Sequence, residues 1–161
     1  MTLAHILWIL VVSTLPVIEL RGAIPLAICG YDIAWYVALP ICFLGNLIPV
    51  PFIILFLGPI ANLIGKVAIL KKIIDKVFER TRRKSNAIER SEMLGLVLLV
   101  AIPLPGTGAW TGSIAAFLVG MPLRKAFPPI MLGVLIAGII VTILSVLGLE
   151  VWWLFFDPSD M

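Results

Sequence analysis

The sequence has few charged residues. Asp, Glu, Lys and Arg make up 13% of its 161 residues, against about 25% in soluble domains. Hydrophobic residues account for 61%, and the mean hydropathy is +1.16. This composition excludes a large soluble catalytic or nucleic-acid-binding domain. We therefore predict an all-α integral membrane protein of the cell (inner or plasma) membrane, in contact with the lipid bilayer and with no nucleic acid partner.

Histidine and cysteine are also scarce. His5 is the only histidine, and Cys29 and Cys42 stand apart in apolar surroundings. Their spacing fits neither a metal site nor a disulfide framework, so we predict no metal and no cofactor. Both cysteines are interpreted as packing residues. Glu19 and Arg21 are the only ionisable groups that we place at membrane depth. An intramembrane enzyme would need a nucleophile with a base, a carboxylate pair or metal ligands there, so we predict no enzyme.

The first apolar runs are too short to cross a bilayer. Residues 3–30 are interrupted at Pro16 and Glu19, and neither part spans a hydrocarbon core of about 30 Å, so we predict a re-entrant helical hairpin there. Residues 33–64 carry no charge and predict one crossing helix, kinked near prolines 49 and 51. Asn46 in that helix is interpreted as an interhelical hydrogen-bond partner, as is Thr142 in the second crossing helix.

A basic segment separates this unit from a second one. Residues 66–92 hold nine Lys or Arg and four acidic residues, with apolar residues at helical spacing. They predict a basic amphipathic linker helix, or alternatively a solvated loop, on the cytoplasmic side. The second unit is a hairpin over 93–120 and a crossing helix over 124–149, followed by an extracytoplasmic tail over 150–161.

The two units resemble each other weakly at their glycines and prolines. The charge distribution gives them opposite orientations in the membrane, so we predict inverted repeats, an architecture of many secondary transporters. The matched pairs are Pro16 with Pro105, Gly22 with Gly112, Gly30 with Gly120, Pro40 with Pro128 and Gly45 with Gly133.

Glu19 and Arg21 form the first candidate site. Unwinding at Gly22 would bring the two side chains to one side of the chain, where Arg21 offers a fork for an anionic group and Glu19 a protonatable acceptor. In the alternative interpretation the two charges neutralise each other, or pair with exposed carbonyls, and form a structural plug.

The second candidate site is an uncharged break near residues 102–112. Its backbone N–H groups at the start of a helix would point at an anion, with hydroxyls and an aromatic ring beside them. Close helix packing through Gly108 and Gly112 is the alternative. The candidate residues are Gly106, Thr107, Gly108, Trp110, Thr111 and Gly112.

Two motifs carry a family resemblance. E-L-R-G-A-I-P at residues 19–25 and P-L-P-G-T-G-A-W-T-G at residues 103–112 resemble the paired signatures of the small multidrug export protein family. The resemblance extends from about Pro16 to Leu149 and implies an export function. The family is distantly similar to the DedA/VTT membrane proteins, whose paired re-entrant hairpins are associated with lipid-phosphate translocation. This chain lacks the acidic and arginine residues that DedA proteins carry in their second hairpin.

We therefore predict a small secondary transporter or exporter with a midplane site between the hairpins for an anionic or polar-amphipathic substrate. In this prediction Glu19 either exchanges a proton, which would make transport proton-coupled, or pairs with Arg21. The alternative is a DedA-like flippase or scramblase of phosphate-bearing lipids such as polyprenyl phosphate. A chain of this size favours a homo-oligomer.

Overall fold

The computed structural model describes residues 3–64, 86–103 and 107–155, and all regular structure in these ranges is helical. The predicted all-α class is confirmed. Most of the predicted basic linker, Gly106 of the candidate site and the end of the predicted tail lie outside the described residues.

The first half begins with two short helices and ends with an interrupted long one. Helix α1 covers Leu3–Thr14, and α2 covers Glu19–Pro25 and continues as a π-helical turn over Leu26–Gly30. Helix α3 (Trp35–Leu47) and helix α4 (Pro49–Ile64) follow. The interruption lies at Ile48, next to Pro49, which has no N–H to donate to the helix. The Ile48 N–H itself still donates to the helix, shared between the carbonyls of Leu44 and Gly45 at 3.3 Å each.

The second half has the same order of elements. Helix α5 covers Asn86–Ala101, α6 covers Ala109–Val119, and α7 covers Leu123–Phe155. Helix α5 thus begins inside the segment that we assigned to the linker, and α7 continues beyond the predicted end of the crossing helix. Helix α6 ends at Gly120, whose φ of 74° is in the left-handed region favoured by glycine.

Two helical stretches of the described residues are long and apolar enough to cross a membrane: Trp35–Leu57, which is α3 with the first part of α4, and Leu123–Gly148 of α7. Their outward faces carry exposed apolar side chains such as Phe52, Ile143 and Leu144, as expected where a helix faces lipid. Helices α1 and α6, with 12 and 11 residues, are only about 18 and 17 Å long. They are too short to cross by themselves.

Helix packing follows the same scheme in each half. Helix α1 packs on α3, and α5 packs on α7, in each case through a glycine. A Cβ atom at Gly45 would lie 2.7 Å from the Leu10 carbonyl oxygen and would overlap Oγ of Ser13. A Cβ atom at Gly133 would lie 2.9 Å from the Val97 carbonyl oxygen and 2.7 Å from Cβ of Val100. Only glycine permits these helices to approach so closely.

Candidate functional site

The site forms where the second half breaks between α5 and α6. A broken helix leaves carbonyl groups without partners at the end of α5 and N–H groups without partners at the start of α6. Thr107 satisfies part of this need, because its Oγ1 donates to the Ile102 carbonyl at 2.8 Å. Gly108, the N-cap residue of α6, has no side chain with which to accept a hydrogen bond. The remaining groups require partners from elsewhere in the molecule.

Arg21 of the first half supplies the donors. Its Nη2 donates to the Val100 carbonyl at 3.1 Å and to the Ile102 carbonyl at 3.0 Å. The guanidinium group thus lies at the C-terminal end of α5, where the helix dipole favours a positive charge.

Glu19 supplies the acceptor at the opposite end of the break. Its carboxylate accepts a hydrogen bond from the backbone N–H of Trp110, with 3.3 Å between Oε1 and the nitrogen, in the first turn of α6. The Glu19 side chain is 6% exposed. It occupies the space that a side chain at position 108 would need, because a Cβ atom at Gly108 would overlap the carboxylate. Glu19 itself has a φ of 49°, which is unfavourable for a residue other than glycine.

In a fourth bond between the halves, a side chain of the second half bonds to a helix end of the first. The indole Nε1–H of Trp110 donates to the Thr14 carbonyl at 2.9 Å, at the end of α1. Each half therefore satisfies helix ends of the other. The candidate anion site at the start of α6 holds the carboxylate of Glu19, and the guanidinium of Arg21 binds carbonyl groups, as in the structural-plug interpretation.

These two motifs lie in the part of the chain that a known family matches. The model of the family described as "Putative small multi-drug export protein" matches residues 19–140. The chain belongs to this family. The match begins at Glu19 and includes both motifs, so the resemblance drawn from them is confirmed. No curated protein and no solved structure matches the chain.

In this member of the small multi-drug export family, a depression opens beside the two charges. Its volume is about 360 Å³. It is bordered on one side by the turn between α1 and α2, where Val17 is 91% exposed, and on the other by Pro103. The lining residues are Pro16, Val17, Ile18, Glu19, Arg21, Gly22 and Pro103. Glu19, Arg21 and Gly22 of the predicted site thus share one cavity.

Some predicted residues have other positions. Gly22 is helical within α2, so the expected unwinding at Gly22 is wrong, and the irregular backbone precedes it at residues 15–18. The reason is that Pro16 ends α1 and the left-handed φ of Glu19 already turns the chain. Gly112 is also helical, and a Cβ atom there would lie 2.5 Å from Cγ2 of Val100, which supports close packing. Thr111 is half-buried on α6.

The interpretation of polar and sulfur-containing residues also needs correction. Cys42 is buried as expected, but Cys29 is exposed. Thr142 donates its hydroxyl hydrogen to the Gly138 carbonyl of its own helix at 2.7 Å, and not to another helix. Asn46 is fully buried, and neither polar atom of its side chain has a hydrogen-bond partner in the described part of the chain. Its apolar sequence surroundings signalled burial, but the sequence contained no signal for the missing partner.

Proposed function

We propose that the protein is a small secondary transporter that exports polar-amphipathic or anionic molecules through a site beside Glu19 and Arg21. One observation carries the proposal: in a family of export proteins, the two deep charges join the two halves at a helix break and line an open depression. Ionisable groups at membrane depth usually mark a substrate or proton pathway. The proposal is for transport rather than enzymatic catalysis.

Matched contacts support two repeats. Gly45 packs on residues 10 and 13, and Gly133 packs on residues 97 and 100, each 87 or 88 positions later. The turns that close the short helices correspond as well. Ile33 N–H donates to the Ala27 carbonyl, and Met121 N–H donates to the Ala116 carbonyl, at 2.9 Å each and again 88 or 89 positions apart.

The ends of the short helices support re-entrant hairpins. The rings of His5, near the start of α1, and Tyr31, just after the π-helical turn, are 4.8 Å apart. In the second half, a small cavity is lined both by Glu92 and Gly95 of α5 and by Val119 and Met121 at the end of α6. In each half, the start of the first helix thus lies near the end of the second helix, as in a hairpin. With the basic residues 66–92 in the cytoplasm, the two hairpins would enter from opposite sides.

The bonds across the break suggest how a transport cycle would proceed. An anionic or polar group of a substrate that enters the depression would compete with the carbonyls for Arg21. A proton on Glu19 would weaken its bond to the start of α6, because the helix dipole favours the charged carboxylate. Loss of both contacts would release the two halves from each other. Proton binding and substrate binding would thus act on the same equilibrium between joined and separated halves, which would couple the two binding events.

The test is transport by purified protein in proteoliposomes with an imposed pH gradient. Radiolabelled benzylpenicillin serves as an anionic amphipathic probe and chloramphenicol as a neutral one. We expect gradient-driven accumulation of at least one probe, lost when a protonophore collapses the gradient and lost in the Glu19→Gln and Arg21→Gln variants. Movement of fluorescent phosphatidylglycerol between leaflets without probe uptake would reject this proposal and support lipid translocation. Wild-type uptake by both variants would reject the site.

A further inference from the structure

Asn46 differs from the other buried polar side chains of the described residues. Ser13, Ser113 and Thr142 each donate to a carbonyl of their own helix, and Glu19 accepts from Trp110. Asn46 is 0% exposed, and neither its Nδ2 nor its Oδ1 has a hydrogen-bond partner within residues 3–64, 86–103 and 107–155. An amide without hydrogen bonds in an apolar interior is unfavourable and indicates a ligand or a function.

The fold itself does not require a polar residue at this place. Gly133 lies 88 positions after Gly45, and the residue 88 positions after Asn46 is Val134, which is also 0% exposed. Valine occupies the corresponding position of the second half without any polar atom. The asparagine therefore serves something other than packing, and only in the first half.

The position of Asn46 connects it with the transport site. Its neighbour Gly45 packs against Ser13 and Leu10 near the end of α1. The carbonyl of Thr14, the residue after Ser13, accepts the hydrogen bond of the Trp110 indole, and the backbone N–H of Trp110 donates to Glu19. Asn46 also lies two residues before the helix interruption at Ile48. It is therefore adjacent in the chain both to a helix contact that leads to Trp110 and to an interruption of the crossing helix.

We propose that Asn46 is the neutral hydrogen-bonding contact of the transport site, which binds a substrate group able to donate and accept at once. Such groups are carboxamides, hydroxyls and protonated carboxyls, because the side chain offers an acceptor oxygen beside a donor NH₂ group. This inference rests on the proposed function. The structure has Asn46 enclosed, so bending at Ile48 gives the substrate access to it.

The test uses chloramphenicol, which carries an amide and two hydroxyls, in the proteoliposome assay. Asn46→Val copies the residue of the second half and removes both polar atoms. We expect the variant to unfold at the same or a higher temperature than wild type and to show about a tenfold increase in KM for chloramphenicol. Asn46→Ser, which keeps one hydroxyl, is expected to have an intermediate KM. Thr142→Val is the matched control, because its hydroxyl is already bonded, and its KM is expected to be unchanged.

Two results would overturn the inference. A stable Asn46→Val variant with wild-type KM would show that the amide does not contact the substrate. A strongly destabilised Asn46→Val variant would show that the amide has a structural partner. Failure of the proposed function is distinct from both, since it appears as absence of probe uptake by the wild-type protein itself.

Discussion

At the scale of single residues, the carboxylate of Glu19 and the absence of a side chain at Gly108 depend on each other. A methyl group at position 108 would displace the carboxylate from the first turn of α6. We expect Gly108→Ala to lower the free energy of unfolding by about 1–3 kcal/mol, as overpacking does, and Glu19→Ala to lower it by about 1–3 kcal/mol, because the Trp110 N–H loses its acceptor.

The double variant Glu19→Ala/Gly108→Ala distinguishes this contact from two independent effects. We expect its loss of stability to be smaller than the sum of the single losses by about 1 kcal/mol, since the methyl group then enters vacated space. Unfolding in mixed micelles, followed by circular dichroism, measures all three variants. The pair Glu19→Ala/Gly95→Ala is the control, because Gly95 has no atom within 4 Å of a Cβ position, and its effects should add. If the losses of stability in Glu19→Ala/Gly108→Ala were additive, the proposed contact between the Glu19 carboxylate and position 108 would be contradicted.

Arg21 gives a second prediction for single residues. Its Nη2 serves two carbonyl groups at the end of α5, so Arg21→Gln leaves charge-assisted bonds unmade and should cost about 2–4 kcal/mol. Arg21→Lys keeps the charge but not the fork, and we expect a smaller loss. Arg124→Gln removes a charge from an exposed side chain and should change stability by less than about 0.5 kcal/mol. Equal losses for the glutamine variants in the same unfolding assay would contradict the role of Arg21.

The sequence predicted which residues carry the charge of the site but not what they bind. Glu19 and Arg21 stand out because charges are rare in the apolar half of the chain that contains them. Their partners Trp110, Val100 and Ile102 are about 80 to 90 positions away, and nothing local in the sequence identifies a backbone group as a partner. Gly22 was misinterpreted because a glycine between prolines also fits an unwound segment, whereas the turn is made by Pro16 and the left-handed Glu19.

At the scale of helices, glycine determines how closely the short helices approach the long ones. Gly45 and Gly133 each face a neighbouring helix backbone, with its carbonyl oxygen within 3 Å of the Cβ position. We expect Gly45→Ala and Gly133→Ala each to lower the free energy of unfolding by about 1–3 kcal/mol, because backbone cannot yield to the added methyl group. Gly95→Ala, in open space on α5, should be neutral or stabilising by up to about 1 kcal/mol.

This series also tests the equivalence of the halves. If the α1–α3 and α5–α7 contacts are equivalent, Gly45→Ala and Gly133→Ala should lower the free energy of unfolding by amounts that agree within about 1 kcal/mol. A loss at one position alone would argue against equivalent packing. The match of Gly45 with Gly133 was visible in the sequence, but the helices on which these glycines pack were not predicted. The π-helical turn at Leu26–Gly30 and the continuation of α7 to Phe155 were not predicted either.

At the scale of the whole molecule, the proposed topology assigns each chain segment to one side of the membrane. Asp32, between the π-helical turn and α3, and Arg124, at the start of α7, would lie on opposite sides, with Arg124 in the cytoplasm. Both side chains are exposed, so single cysteines there are suitable reporters. The native Cys29 is exposed as well and must be replaced, together with the buried Cys42, before labelling.

Labelling intact cells with a membrane-impermeant maleimide tests this arrangement. We expect Asp32→Cys to react from outside, and Arg124→Cys to react only after the membrane is permeabilised. Val17→Cys, at the rim of the depression, should react with the same reagent if water reaches the two charges, whereas Phe52→Cys on the outer face of the crossing helix should not. Labelling of positions 32 and 124 from the same side would reject opposite orientations. An unreactive Val17→Cys would show that the depression opens to lipid instead of water, and a pathway for water-soluble drugs would then have to lie elsewhere.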